Sequence, residues 1–168
     1  MKTGNSLTNY FEEDEVTLFL QQSNFIENER SYDALQDAKK AWTFINYFAY
    51  LDADILKMMH YILMQNRWRE IAGKYRDCMI YVGNRPGAPT DLVPSMIDDL
   101  LGIVPYNEKT IKQWHIDYEK IHPFRDGNGR TGRIIMNWQR KMFGLPILII
   151  REGMPQYEYY EWFREDES

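Results

Sequence analysis

Apolar residues recur at helical spacing along most of this 168-residue chain, and the pattern breaks at Gly73 to Pro89. A period near 3.6 residues buries one stripe of a helix and leaves the other faces to solvent. Glu12 to Glu27 carries Val16, Phe19, Leu20 and Ile26 on such a stripe, with acidic residues in the expected first turn, where they complement the helix dipole. Asn28 suits the left-handed stop just past that helix. A second helix is expected from Tyr32 to about Tyr50 behind Ser31 as N-cap, with Leu35, Ala38, Trp42, Ile45 and Phe48 as its apolar positions. A third runs from Ala53 to about Gln65 behind Asp52, with Leu56, Met59, His60 and Leu63 on one side. Cys78 to Val82 then has strand character and Gly83 to Pro89 is turn material, so a short hairpin or flap is expected. Helices resume from about Asp91 to Leu101, from Asn107 to His122, from Asn128 to Phe143 with Gly144 as the stop, and from Tyr157 to Arg164. The expected class is a compact all-α domain with a small β-hairpin.

Composition narrows the role. Hydrophobic residues make up 44% and aromatics 15%, enough to build a core rather than a disordered chain. The net charge of −5 argues against nucleic acid as a bulk electrostatic partner. Cys78 is the single cysteine, so no internal disulfide is possible and a reducing compartment is expected. No segment approaches the roughly 20 apolar residues of a membrane span. Met1 to Glu15 is polar and acidic and lacks the apolar centre of a signal peptide, so a cytoplasmic location is expected, with no membrane partner. No Cys/His cluster has zinc spacing. His60 and His115 read as packed structural histidines on helical faces.

The stretch from His122 to Arg133 reads His-Pro-Phe-Arg-Asp-Gly-Asn-Gly-Arg-Thr-Gly-Arg. It places an imidazole, a carboxylate, three glycines and three arginines just before and inside a helix start. Glycines let backbone N–H groups approach phosphate oxygens, and a helix N-terminus adds favourable partial charge. Arg130 and Arg133 are three apart on neighbouring helix surface, with planar forks suited to phosphate. Asp126 is a hard oxygen ligand of the kind Mg²⁺ accepts beside substrate phosphates. Phe124 reads as an anchor for the loop, and Arg125 as a solvated residue. Together these are the parts of a polyphosphate site with a general base beside it.

This run resembles the Fic family motif, His-x-Phe-x-Asp/Glu-Gly-Asn-Gly-Arg-x-x-Arg, at every specified position: His122, Phe124, Asp126, Gly127, Asn128, Gly129, Arg130 and Arg133. Looser similarity extends over Ala72 to Arg76, Tyr81 to Gly83, Pro94 and Met96. The resemblance implies a compact helical Fic-type domain with a flap. It also implies transfer of AMP from ATP to a Ser, Thr or Tyr hydroxyl of a target protein, with self-modification as a further possibility. In that scheme His122 is the general base and Asp126 holds Mg²⁺. Gly127, Asn128 and Gly129 cradle the phosphates, and Arg130 and Arg133 bind the outer ones, Arg133 the terminal one. Met79, Ile80, Tyr81 and Val82 form a flap edge to which a target segment adds as a strand. Asn137, Tyr157 and Tyr160 are candidates for the adenine wall. Neither the target nor the oligomeric state is written in the sequence.

A second pattern lies upstream. Ser23 to Asn28 matches the inhibitory pattern Ser/Thr-x-x-x-Glu-Gly/Asn of the same family, with Ser23 and Glu27 on one helix face and Asn28 as the stop. The expected division is therefore an inhibitory helix segment over residues 1–30 and a catalytic unit over residues 31–168. Glu27 is expected to pair with Arg133 and hold the place of the terminal phosphate of ATP. Two alternatives stay open: removal of AMP from a modified protein, with Glu27 orienting water, and a non-catalytic nucleotide-binding interaction module.

Overall fold

Tyr118, Phe19, Phe124 and Leu20 are among the bulkiest fully buried side chains, and they come from distant parts of the chain. The computed structural model that places them describes residues 6–164, with side chains from residue 14 onward. Along the described residues the elements are α1 (Ser6–Ile26), α2 (Tyr32–Ile45), α3 (Ala53–Met64), β1 (Tyr81–Val82), β2 (Arg85–Pro86), α4 (Val93–Leu101), α5 (Glu108–Ile121), α6 (Asn128–Met142) and α7 (Met154–Glu161). The all-α class with a small antiparallel hairpin is the observed one. None of the described helices is long and apolar enough to cross a membrane.

Helix α6 organises the molecule. It packs against α1, α2, α3 and α5. Every residue from Arg130 to Arg140 is buried. A helix buried all round is usually apolar, yet this one carries Arg130, Arg133, Asn137, Gln139 and Arg140. Buried polar groups of this kind need partners, and those partners decide how the other elements dock. Asn137 donates to Leu148 O at 3.1 Å and accepts from Leu148 N–H at 2.8 Å, which straps the segment after α6 against the helix. Arg140 donates to Pro146 O at 2.8 Å and to Glu108 at 2.6 Å, tying in the start of α5. A second apolar cluster, of Ile111, Met136, Ile150 and Tyr159, seats α7 beside them.

Local signals set most element ends. Ser31 Oγ accepts from Ala34 N–H at 3.2 Å and Asp52 from Ile55 N–H at 2.8 Å, as expected of N-caps. Asn107 and Thr110 form a reciprocal capping box at the start of α5. Asn28 takes the left-handed conformation past α1, with φ 59°. Four expectations need correction. Helix α1 begins at Ser6, so Glu12 to Glu15 lie in its interior and do not complement the dipole of a first turn. Helix α2 stops at Ile45, because the Asn46 side chain turns back to Trp42 O at 2.8 Å and Phe48 packs edge-on to Phe44. Helix α7 spans Met154–Glu161, earlier than expected, since Gly153 (φ 92°) and Pro155 make a sharp start. Strand β1 is only Tyr81–Val82, shorter than Cys78 to Val82. Arg76 takes the carbonyls of Cys78 and Ala88, which would otherwise extend the ladder, and Pro86 brings no N–H to it.

Candidate active site

The end of α5 sets up the site. His122 is its C-cap and sits in the left-handed region, with φ 51° and ψ 66°. A side chain other than glycine pays for that conformation only when its surroundings hold it there. The buried guanidinium of Arg76 does so. Its Nε donates to His122 O at 2.7 Å and Nη2 to Ile121 O at 3.3 Å. The same group donates to Cys78 O at 3.0 Å and to Ala88 O, at the two roots of the hairpin. The Arg76 N–H adds a bond to Pro123 O at 2.9 Å. Arg76 thus joins the hairpin and the loop at His122 through carbonyls alone. Sequence reading placed it only in a loosely similar flank and gave it no role.

The loop after His122 is built from within. Phe124 is fully buried and stacks on His60, with ring centroids 3.7 Å apart and 3° between planes. The Asn128 amide closes the loop, accepting from Phe124 N–H and donating to Phe124 O, both at 2.8 Å. Its side chain is therefore committed to loop shape, which leaves only the backbone at this position free for any bound anion. His60 Nδ1 accepts from Gly73 N–H at 2.9 Å, which leaves Nε2–H to donate to Asp126 O at 2.8 Å. Burial pushes the His60 pKa down to about 4, so it is a neutral strut, as expected of a packed histidine. Gly127, at φ 78°, makes the turn into α6. Asp126 Oδ1 accepts from Gly127 N–H at 2.6 Å. Arg125 is exposed and lies over the Trp68 ring.

At the start of α6 the Arg133 guanidinium faces an anion, and that anion is the Glu27 carboxylate. Arg133 Nη2 donates to Glu27 Oε1 at 2.6 Å and to Ser23 O at 3.0 Å, and Nε donates to Ser23 Oγ at 2.8 Å. Ser23 O belongs to the last turn of α1, where carbonyls carry partial negative charge. Arg133 Nη1 reaches Tyr159 OH at 3.4 Å. Burial opposes the charge of Arg133, but Tyr159 and the Glu27 carboxylate outweigh it and hold the proton more tightly than water does. A Cβ on Gly129 would run into Glu27 Oε1. The carboxylate thus lies directly against the helix N-terminus, where a phosphate would bind. Arg130 is buried beside them, with Nη2 toward Met64 Sδ at 3.2 Å and Nε without a partner among the described residues. Burial lowers its pKa, and the charges of Asp126 and Glu27 oppose that.

The remaining candidates divide. Met79 and Tyr81 are exposed while Ile80 and Val82 are half-buried, the alternation of a strand with one free face. Asn137 is fully buried with its amide turned to Leu148, so it does not line an open wall for adenine. Tyr157 and Tyr160 are exposed. The tyrosine that enters the site is Tyr159, whose hydroxyl joins Arg133 and also shares a 2.8 Å hydrogen bond with His115. A lone buried position within an aromatic-rich helix gave no sequence signal for it. Among the described residues no three His, Cys, Asp or Glu side chains gather as a metal cage. Mg²⁺ does not require one: it is commonly held by one carboxylate and the phosphates of its nucleotide. Asp126 fits that donor set.

The Fic/DOC family profile matches residues 50–139. Over 103 residues the chain is 36% identical to a protein adenylyltransferase Fic of Nematostella vectensis, a match covering 56% of this chain and 23% of that protein. The chain thus spans about a quarter of that relative's length. The structure of Fic-1 from C. elegans superposes with a TM-score of 0.80 at 20% identity, over 96% of this chain and 58% of that one. BepC from Bartonella tribocorum, solved with bound AMPPNP, superposes with a TM-score of 0.51 at 20% identity, over 66% of each chain.

Proposed function

The chain belongs to the Fic/DOC family, and on that premise we propose that it is a protein adenylyltransferase held in check by its own first helix. The observation that carries this reading is the Glu27 carboxylate on Arg133, packed against Gly129 at the start of α6. A negative group already sits where an anion-binding helix start, two arginines and a half-exposed carboxylate converge beside a histidine. The names of the relatives support AMP transfer from ATP, and bound AMPPNP in BepC supports an adenine nucleotide as the co-substrate.

In the reaction, the target hydroxyl oxygen bonds to the α-phosphorus of ATP. The bond to the bridging oxygen breaks, and pyrophosphate leaves. His122 takes the hydroxyl proton, the general-base role that an imidazole most often fills. The backbone from Gly127 to Gly129 and the guanidinium groups of Arg130 and Arg133 hold the phosphates in line for attack. Asp126 would hold Mg²⁺, which, when bound, neutralises charge on the leaving pyrophosphate. The exposed edge at Met79 to Val82 is suited to pair with an extended target segment, so that main-chain bonds bring a hydroxyl beside His122. Positioning and charge stabilisation account for most of such catalysis.

The brake follows from competition. Glu27 and the terminal phosphate of ATP both need Arg133, and misplaced phosphates slow in-line attack by orders of magnitude. Labelled ATP with Mg²⁺ tests the reading on wild type and Glu27→Gly side by side. Label on protein should rise well above wild type in the variant. ATP binding without transfer in both would make the chain a binding module, and loss of AMP from a premodified protein would make it a hydrolase.

A further inference from the structure

Glu119 lies one helical turn before His122 on α5 and is only 7% exposed. Neither motif names it. A buried carboxylate is costly unless charge or hydrogen bonds compensate it. Its Oε2 lies 3.5 Å from His122 Nδ1. Its Oε1 has no hydrogen-bond partner among the described residues. That oxygen rests over Gly132 of α6, where a Cβ would stand 2.8 Å from it and 2.9 Å from His115 Cε1. The motif position occupied by Gly132 thus makes room for this carboxylate. Burial would raise the Glu119 pKa, but the hydrogen bond to His122 and the charge of Arg133 outweigh it and hold the carboxyl below its ordinary range.

The imidazole reads this arrangement directly. Nδ1 faces the Glu119 backbone oxygen at 3.2 Å as well as the carboxylate. Both are acceptors, so Nδ1 must carry the proton and the ring lone pair falls on Nε2. A carboxylate behind a base also stabilises the imidazolium that forms when the base takes a proton. We propose that Glu119 is the positioning residue of His122: it holds the ring in the tautomer with Nε2 free and stabilises the cation formed as the hydroxyl attacks. This rests on the reading of His122 as the general base. Glu119 touches no substrate and acts through His122 alone.

The test uses Glu119→Gln, which keeps size and removes charge, in the Glu27→Gly background where transfer is measurable. The kcat should fall by about ten- to a hundred-fold, part of the contribution of a general base. The KM for ATP and the ATP-induced rise in melting temperature should stay within about two-fold of the parent, because phosphate binding is untouched. Nitrogen-15 NMR of His122 in the otherwise unaltered chain should show the proton on Nδ1. A kcat within two-fold of the parent, a loss confined to KM, or a wild-type ring protonated on Nε2 would each overturn the proposal. If the Glu27→Gly parent itself transfers no AMP, the functional reading fails. The change in His122 tautomer population between wild type and Glu119→Gln still decides the role of Glu119 in that case, no change overturning it, and Glu119→Asp replaces the glutamine variant if that one fails to fold.

Discussion

His122, Asp126 and Asn128 sit within one loop yet do different work, and substitution separates them. In the Glu27→Gly background, where transfer is measurable, His122→Ala should lower AMP transfer by about 10²–10⁴-fold while ATP binding persists, since a base acts on the incoming hydroxyl and not on ATP. Calorimetric ATP binding beside a labelled transfer assay checks this, and transfer within a few-fold of the Glu27→Gly parent would remove His122 from its role. Asp126→Ala should abolish Mg²⁺-dependent transfer and weaken nucleotide binding without ending it, because the helix start and Arg130 remain. Undiminished Mg²⁺-dependent transfer would count against it. Asn128→Ala should behave differently again. It strands the Phe124 N–H and C=O, both now satisfied by one amide at 2.8 Å. The expected cost is about 1–3 kcal/mol of stability, read from urea unfolding.

At the scale of elements, α1 is a wall of the core as well as the proposed brake. Phe19 and Leu20 lie in the main core, only 2% and 1% exposed. Further ties anchor the end of α1: Arg67 pairs with Glu29, Arg30 with Glu152, and Glu152 N–H donates to Gln22 at 3.2 Å. On the proposed reading, release of inhibition would need only Glu27 to leave Arg133, with the helix staying docked. Removal of residues 1–30 should destabilise the protein severely, since loss of Phe19 alone is expected to cost about 3–5 kcal/mol. Glu27→Gly should keep the fold, raise transfer, and gain more melting temperature from ATP-Mg than wild type does, because ATP supplies the anion Arg133 has lost. A truncated chain as stable as wild type would show that α1 is a detachable appendage.

Across the whole molecule, two buried histidines make stability depend on pH. Burial lowers the pKa of His60 and of His115 from 6.5 to about 4. Between those values the unfolded chain binds more protons than the folded one, so stability is full above pH 6.5 and declines as pH falls through the window. The loss approaches about 3 kcal/mol for each histidine near pH 4. Urea midpoints at pH 7.5 and pH 5 provide the check, with a lower midpoint expected at pH 5. Equal midpoints would mean that these rings are protonated without unfolding.

Periodicity and capping residues by themselves determined the helices, because a stripe of apolar side chains and an N-cap such as Ser31 or Asp52 act within a few positions of one another. The motif from His122 to Arg133 was legible for the same reason: its glycines, carboxylate and arginines share one turn and one helix start. The Glu27–Arg133 pair was legible only as a pattern of residue types, and the fold supplied the approach across 106 positions. Arg76, Glu119 and Tyr159 were decided by tertiary structure alone. Each is a common residue on an unremarkable stretch, and its role comes from partners distant in sequence or, for Glu119, from the left-handed turn that brings His122 back beside it. Asn137 shows the converse. Its type and its place on α6 suited a ligand wall, but the segment at Leu148 folds over it and takes both ends of its amide. Local chemistry sets what a side chain can bind, and long-range packing decides which partner reaches it.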